Sequence, residues 1–234
     1  GSGGSATLLL EDSTLESNKA ASSGGAVYAM RGGKVEVAGG TTSYMKNSVA
    51  TTGSGGGIYL QDEGSSLTIS GVSTKLVVDG NTANMYGGGI GVQISAKLTI
   101  SGGGNLTTIG NSATVVGGGW FVQGGASVEI NGPSTAILKA NSAGTWGGNL
   151  CLIVFTAGKT VSMKVTGGAS VVASHGSAPQ GGGGYIEGAS LSVDGQGTSV
   201  VFMKNVASLG GGGLLLHTTE ASITDGALLH VEGN

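Results

Sequence analysis

The chain repeats itself about every 30 residues, and this periodicity limits the folds open to it more than any other feature. The clearest copy runs from Asn205 to Leu216. An asparagine closes one apolar run, a short link of small residues follows, and a glycine cluster at 210 to 213 leads into Leu214-Leu215-Leu216. Earlier copies place Asn18 before Gly24-Gly25-Ala26-Val27, Asn47 before Gly55-Gly56-Gly57-Ile58, and Asn81 before Gly87-Gly88-Gly89-Ile90. Asn111 precedes Gly117-Gly118-Gly119-Trp120, and Asn141 precedes Gly147-Gly148-Asn149-Leu150. In one degenerate copy His175 holds the asparagine place before Gly182-Gly183-Gly184-Tyr185. With the terminal Asn234, these anchors lie 29 to 34 residues apart. A fixed period of this length marks solenoids, propellers or arrays.

Within one repeat, three short runs read as strands. The first follows the glycines, as in Ile58-Tyr59-Leu60 and Trp120-Phe121-Val122. The second alternates apolar and polar residues, as in Leu67-Thr68-Ile69, Leu98-Thr99-Ile100 and Val128-Glu129-Ile130. The third runs into the anchor asparagine, as in Ser199-Val200-Val201-Phe202. Runs this short, rich in β-branched residues and bounded by Gly, Ser, Thr and Asn, are strands rather than helices. Three strands per turn and seven turns predict a right-handed parallel β-helix of about seven coils, in which each coil buries its apolar face against its neighbours. At ~4.8 Å per coil the rod would be roughly 34 Å long. The competing propeller needs hairpins and a fourth antiparallel strand per blade, and the repeat has no comfortable room for them.

Composition removes other classes. Glycine makes up 50 of 234 residues, but without a three-residue period, which excludes collagen. The 38% of hydrophobic residues fall at regular places, which argues against disorder. Only 10% of residues are charged and the formal net charge is −3, so nothing attracts a nucleic-acid backbone. Cys151 is the single cysteine, which rules out an internal disulfide. No apolar run reaches the ~18 residues of a membrane helix. The start at Gly1-Ser2-Gly3-Gly4-Ser5 falls partway through a repeat and the end falls on an anchor. Residues 1–234 are therefore expected to be one β-helical segment of a longer repeat protein.

An apolar-x-x-Asn element paired with Gly-Gly-small-aliphatic resembles the chlamydial polymorphic membrane proteins, whose passengers carry Phe-x-x-Asn and Gly-Gly-Ala-Ile repeats. The matching residues here are Phe202-Met203-Lys204-Asn205, Tyr44-Met45-Lys46-Asn47 and Gly24-Gly25-Ala26-Val27. Phe fills the first place once; elsewhere it is held by Leu15, Tyr44, Val78, Thr108, Leu138, Val172 and Val231. The resemblance implies an autotransporter-type passenger on a β-helix, displayed at the cell surface and acting in adhesion.

The anchors Asn18, Asn47, Asn81, Asn111, Asn141 and Asn205 are expected to form an asparagine ladder, with amides bonded from coil to coil. The glycine clusters lack the Lys-Ser/Thr and the helix of a phosphate loop, so they serve tight corners and close backbone stacking. Acids do not cluster. In the outward column of the second strand, Glu36 and Glu129 stand three coils apart, ~14 Å by the strand spacing, whereas glycosidase carboxylates sit within about 5–9.5 Å. His175, His217 and His230 fall in three different columns, so no metal site and no cofactor is expected. The threonine pairs share no repeat position, which argues against an ice-binding array.

The first strand is apolar at successive positions. Val27, Ile58, Trp120, Leu150 and Leu214 are expected to point inward, leaving Tyr28, Tyr59, Phe121, Ile186 and Leu215 in an outward row. A strand apolar on both faces is covered on both, either by a partner or by the chain's own long turn. The expected function is a non-enzymatic extracellular shaft of a surface adhesin or autotransporter passenger. It would present a side face to a protein or glycan, or to a second copy, without nucleic acid and without a transmembrane segment in this chain. A filament or matrix subunit, or a non-catalytic part of a carbohydrate-active β-helix enzyme, are the alternatives.

Overall fold

In the computed structural model the described residues are 6–155 and 158–234, so the glycine-serine start lies outside them. They form thirty strands and no helix, arranged in four sheets that run along one axis. All strand pairs are parallel, each joining a strand to its equivalent one coil away. The molecule is a β-solenoid.

One central coil shows the plan. Ile90–Gln93 lies in sheet D, Lys97–Ser101 in sheet A, Asn105–Ile109 in sheet B, and the two-residue strand Ser112–Ala113 in sheet C. The three expected strands are therefore joined by a fourth, directly after the ladder position. It is too short to carry a periodic signal, and only its stacking makes it a strand. Sheets A and B each have eight strands and sheets C and D seven.

The core is a set of inward columns. In sheet A, Leu67, Leu98, Val128, Met163 and Leu191 succeed one another one coil apart, all essentially without exposure. Their neighbours Thr68, Thr99, Glu129, Lys164 and Ser192 form the expected outward column in the same register. Alternation at period two places one set inside and the other in water. Glu129 and Lys164 do sit on adjacent coils, but the ion pair of Glu129 is with Lys97, at 2.7 Å and on the surface.

The glycine cluster turns the chain from sheet C into sheet D, and each glycine has its own reason. Gly117 has φ of 66°, a left-handed corner. A Cβ on Gly118 would lie 2.3 Å from the Ser142 carbonyl oxygen of the next coil. A Cβ on Gly119 would lie 3.0 Å from Asn141 Nδ2, so the third glycine keeps space for the asparagine ladder.

Candidate interaction face and the ladder behind it

The ladder exists, with three corrections to its membership. Asn81 Nδ2 donates to Asn111 Oδ1 at 3.0 Å, Asn111 Nδ2 to Asn141 Oδ1 at 2.9 Å, and Asn205 Nδ2 to Asn234 Oδ1 at 2.9 Å. Each amide also donates to a backbone carbonyl of the preceding coil, as Asn111 does to Val78 O at 2.9 Å. Asn47 is not a rung. It is exposed at φ 50°, one residue early, and the buried Ser48 takes the place. The Ser48 amide donates to Asn81 Oδ1 at 2.9 Å, and Ser48 Oγ accepts from the Asn18 amide at 3.3 Å. Asn18, half-buried, thus joins the ladder through serine.

The second correction concerns His175, which also occupies the left-handed corner, at φ 54°. The rung position of that coil is Gly176, which has no side chain. The third follows from it: the missing amide comes from Asn149, the residue standing where other coils have the third glycine. Asn141 Nδ2 donates to Asn149 Oδ1 at 2.8 Å, and Asn149 Nδ2 donates to Asn205 Oδ1 at 2.9 Å. A Cβ on Gly176 would lie 2.4 Å from Asn149 Nδ2. Asparagine and glycine have exchanged places across the corner, and the ladder continues unbroken.

Sheet D carries the candidate face. Ile58, Trp120 and Leu150 point inward and are buried, as expected, with Val27 and Leu214 packed at the two ends of the same core. The outward row reads Tyr28, Tyr59, Gly91, Phe121, Cys151, Tyr185 and Leu215 in register. Ile186 is therefore misplaced in the expected row. It pairs with Leu152 and Leu216, lies fully buried inside the coil, and Tyr185 holds the outward position. The reason is a shift at the corner: Gly184, not Tyr185, begins this strand opposite Leu150.

The row is not an open strip. Phe121 and Cys151 are fully buried, and Tyr59 is 7% exposed. The link between sheets C and D folds back over it, and this cover is itself in register: Tyr86, Val116, Trp146 and Gln180 bridge from coil to coil. Tyr86 stacks on Phe121 with centroids 4.8 Å apart, and Trp146 on Tyr185 at 5.3 Å. Val116, Phe121, Cys151, Ile153 and Tyr185 form a second hydrophobic cluster outside the coil. At the N-terminal end the corresponding links carry Ser22-Ser23 and Gly53-Ser54 instead. There Tyr28 remains 41% exposed, and Leu215 is half-buried at the other end.

Amides run beside the row. Tyr28 donates its hydroxyl to Gln61 Oε1, Tyr59 to Gln93 Oε1 at 2.9 Å, and Gln123 Nε2 donates to Gln93 Oε1 at 3.4 Å. Burial, then the neighbouring Tyr28 and Asp62, pushes the Tyr59 hydroxyl up to about 12. The Tyr185 hydroxyl is raised by burial and by its 2.7 Å hydrogen bond to Glu187, and burial raises the Cys151 thiol. His217 Nδ1 lies 3.1 Å from Glu187, and His230 lies 3.1 Å from Glu232. No group of three or more potential metal ligands occurs among the described residues.

These features define a class, a parallel β-solenoid with an internal asparagine ladder and an aromatic-covered side. Residues 12–30 match the Chlamydia polymorphic membrane protein (Chlamydia_PMP) repeat, so the chain carries a repeat of that type. The matched stretch runs through Asn18 to the first glycine corner and the strand Val27–Met30. No curated protein matches the sequence. Among solved structures, a TibC-catalysed hyper-glycosylated TibA55-350 fragment aligns over 97% of this chain and 94% of its own, at 16% identity and a TM-score of 0.17. At that score the likeness carries no argument.

Proposed function

We propose that this chain is part of the non-enzymatic, extracellular shaft of a surface-displayed passenger, and that it presents a side face to a partner. The observation that carries the reading is a polymorphic-membrane-protein repeat at 12–30 whose coil plan then continues through all four sheets. Supporting it, the acids of the outward column in sheet A are dispersed, with Glu36 and Glu129 separated by Thr68 and Thr99. A dispersed column favours a scaffold over a hydrolase, which needs two carboxylates facing one bond.

The test uses intact cells that make the natural full-length protein. Antibodies raised against residues 6–234 should label unpermeabilised cells, and external protease should remove the signal. Labelling that appears only after permeabilisation would refute surface display. Beads coated with the chain should bind host cells while releasing no reducing ends from polysaccharides. Release of reducing ends would move the reading to the carbohydrate-active enzyme.

A further inference from the structure

We propose that the outer side of sheet D binds an uncharged, linear glycan lying along the solenoid axis. The proposal rests on the surface-display reading and names the partner class of that display.

The first observation is the way the aromatic rings are seated. Tyr86 lies on Phe121 at an interplanar angle of 28°, and Trp146 on Tyr185 at 13°. Each covering ring gives one face to a buried aromatic, and each is itself only partly buried. Phe155, 54% exposed, is tilted against Phe121 with centroids 6.4 Å apart. Tyr86 and Trp146 belong to one column, separated by Val116. They are therefore two coils apart, roughly 9–10 Å at the parallel-strand spacing. Two flat rings backed by other rings are fixed platforms, and binding loses little side-chain freedom there. The axial C–H bonds of a pyranose pack on such ring faces, because the π face is the negative part of the quadrupole.

The second observation is polarity with little charge. The eight outward residues of the strands Ile58–Gln61, Ile90–Gln93, Trp120–Gln123 and Leu150–Ile153 are Tyr59, Gln61, Gly91, Gln93, Phe121, Gln123, Cys151 and Ile153. None carries a charge, and neither do the covering links from Asn84 to Tyr86, Thr114 to Val116 and Gly144 to Trp146; in the next coil Glu187 stands in this column, its carboxylate accepting from the Tyr185 hydroxyl at 2.7 Å and facing His217 Nδ1 at 3.1 Å. Gln61, Gln123 and Gln180 offer partly exposed amides, each able to donate to one hydroxyl and accept from another. Gln93, 6% exposed in the middle of this row, has an Nε2 with no hydrogen-bond partner.

This combination selects among partners. An anionic polymer requires Lys or Arg across its path. An extended peptide pairs with a free sheet edge, whereas the interior strands of sheet D are paired on both sides. Rings that offer apolar platforms between neutral amides match a neutral sugar chain.

Trp146 is its own reporter, because the only other tryptophan, Trp120, is fully buried in the coil with its Nε1 unpartnered. In a Trp120→Phe background, emission should change saturably on adding neutral tetra- to hexasaccharides of glucose, galactose or N-acetylglucosamine, and less with disaccharides. Calorimetry on the otherwise unaltered chain should show the affinity falling about tenfold or more in Trp146→Ala and in Tyr86→Ala. Tyr44→Ala, on sheet B, should leave it unchanged. Circular dichroism and melting identify folded variants. If either alanine variant unfolds, Trp146→Phe and Gln123→Ala replace it, each keeping the cover in place and each expected to weaken binding. Failure of every sugar on a neutral glycan array to bind overturns the proposal. So does binding of heparin or polypeptide alone, or equal affinity in the folded variants. Because all of this is read on the purified chain, a negative result here leaves the surface-labelling result standing, and the reverse also holds.

Discussion

Asn111 shows what one rung does. Its Oδ1 accepts from the Asn81 amide nitrogen at 2.9 Å and from Asn81 Nδ2 at 3.0 Å, and its own Nδ2 reaches Val78 O and Asn141 Oδ1. All of this lies at zero exposure, so truncation leaves buried donors and acceptors without water. Asn111→Ala should cost about 1–3 kcal/mol, read as a lowered urea midpoint. Asn149 and Gly176 make a sharper case. Asn149→Gly breaks the ladder, and Gly176→Asn puts a side chain into space already filled by Asn149. Each alone should destabilise. The double substitution Asn149→Gly/Gly176→Asn restores the arrangement of the other coils and should recover part of the loss. A double-mutant cycle with a coupling energy of at least ~1 kcal/mol is expected, and strict additivity would sink the exchange.

The strands of sheet D differ from those of A and B in having a packed layer on both faces. In A and B the outward columns meet solvent. In D they meet Tyr86, Val116 and Trp146. Phe121→Ala should accordingly cost about 3–5 kcal/mol, as for a core aromatic. Tyr28→Ala, at the uncovered end of the same row, should cost far less, and equal midpoints for the two would mean that the cover contributes nothing. The row also has a pH signature. Tyr59 is raised to about 12 from its ordinary 10.0, and the Tyr28 and Tyr185 hydroxyls are also raised. The folded state therefore holds these protons more tightly than the unfolded chain does. Their contribution is fully present below pH 10 and is lost as pH rises through the folded values. Urea midpoints should be flat from pH 7 to 9 in respect of these groups and fall between pH 10 and 12. Phe in place of Tyr59 should blunt the fall.

Along the whole molecule, stability is a sum of coils and of coil-to-coil interfaces. The central coils have neighbours on both sides. The strand Glu220–Thr224 is exposed at all five positions, and Leu228–Glu232 is nearly so. Hydrogen exchange should therefore be slowest for strands between 90 and 139 and fastest beyond 214, with a graded profile. Uniform protection across the coils would mean that the solenoid opens only as one unit.

What the sequence determined by itself was everything that recurs. Period-two alternation set the inner and outer columns of sheet A, and the approximately 30-residue period set the coil. The same recurrence exposed the asparagine and glycine positions. The tertiary structure decided whatever depended on a single coil departing from the rule. Asn47 and His175 each stand one residue before the rung, because the preceding corner takes a left-handed residue that can be Gly, Ser, Ala, Lys, His or Asn. Only the paired backbones reveal which of two adjacent residues turns inward. Tyr185 exchanged faces with Ile186 for the same reason, since a one-residue slip in a strand reverses every side chain. The sequence offered the cover over Phe121 only as one of two alternatives, because the link positions recur but their residue types do not: Tyr86, Val116, Trp146 and Gln180 share one column. They find the aromatic row through space rather than along the chain.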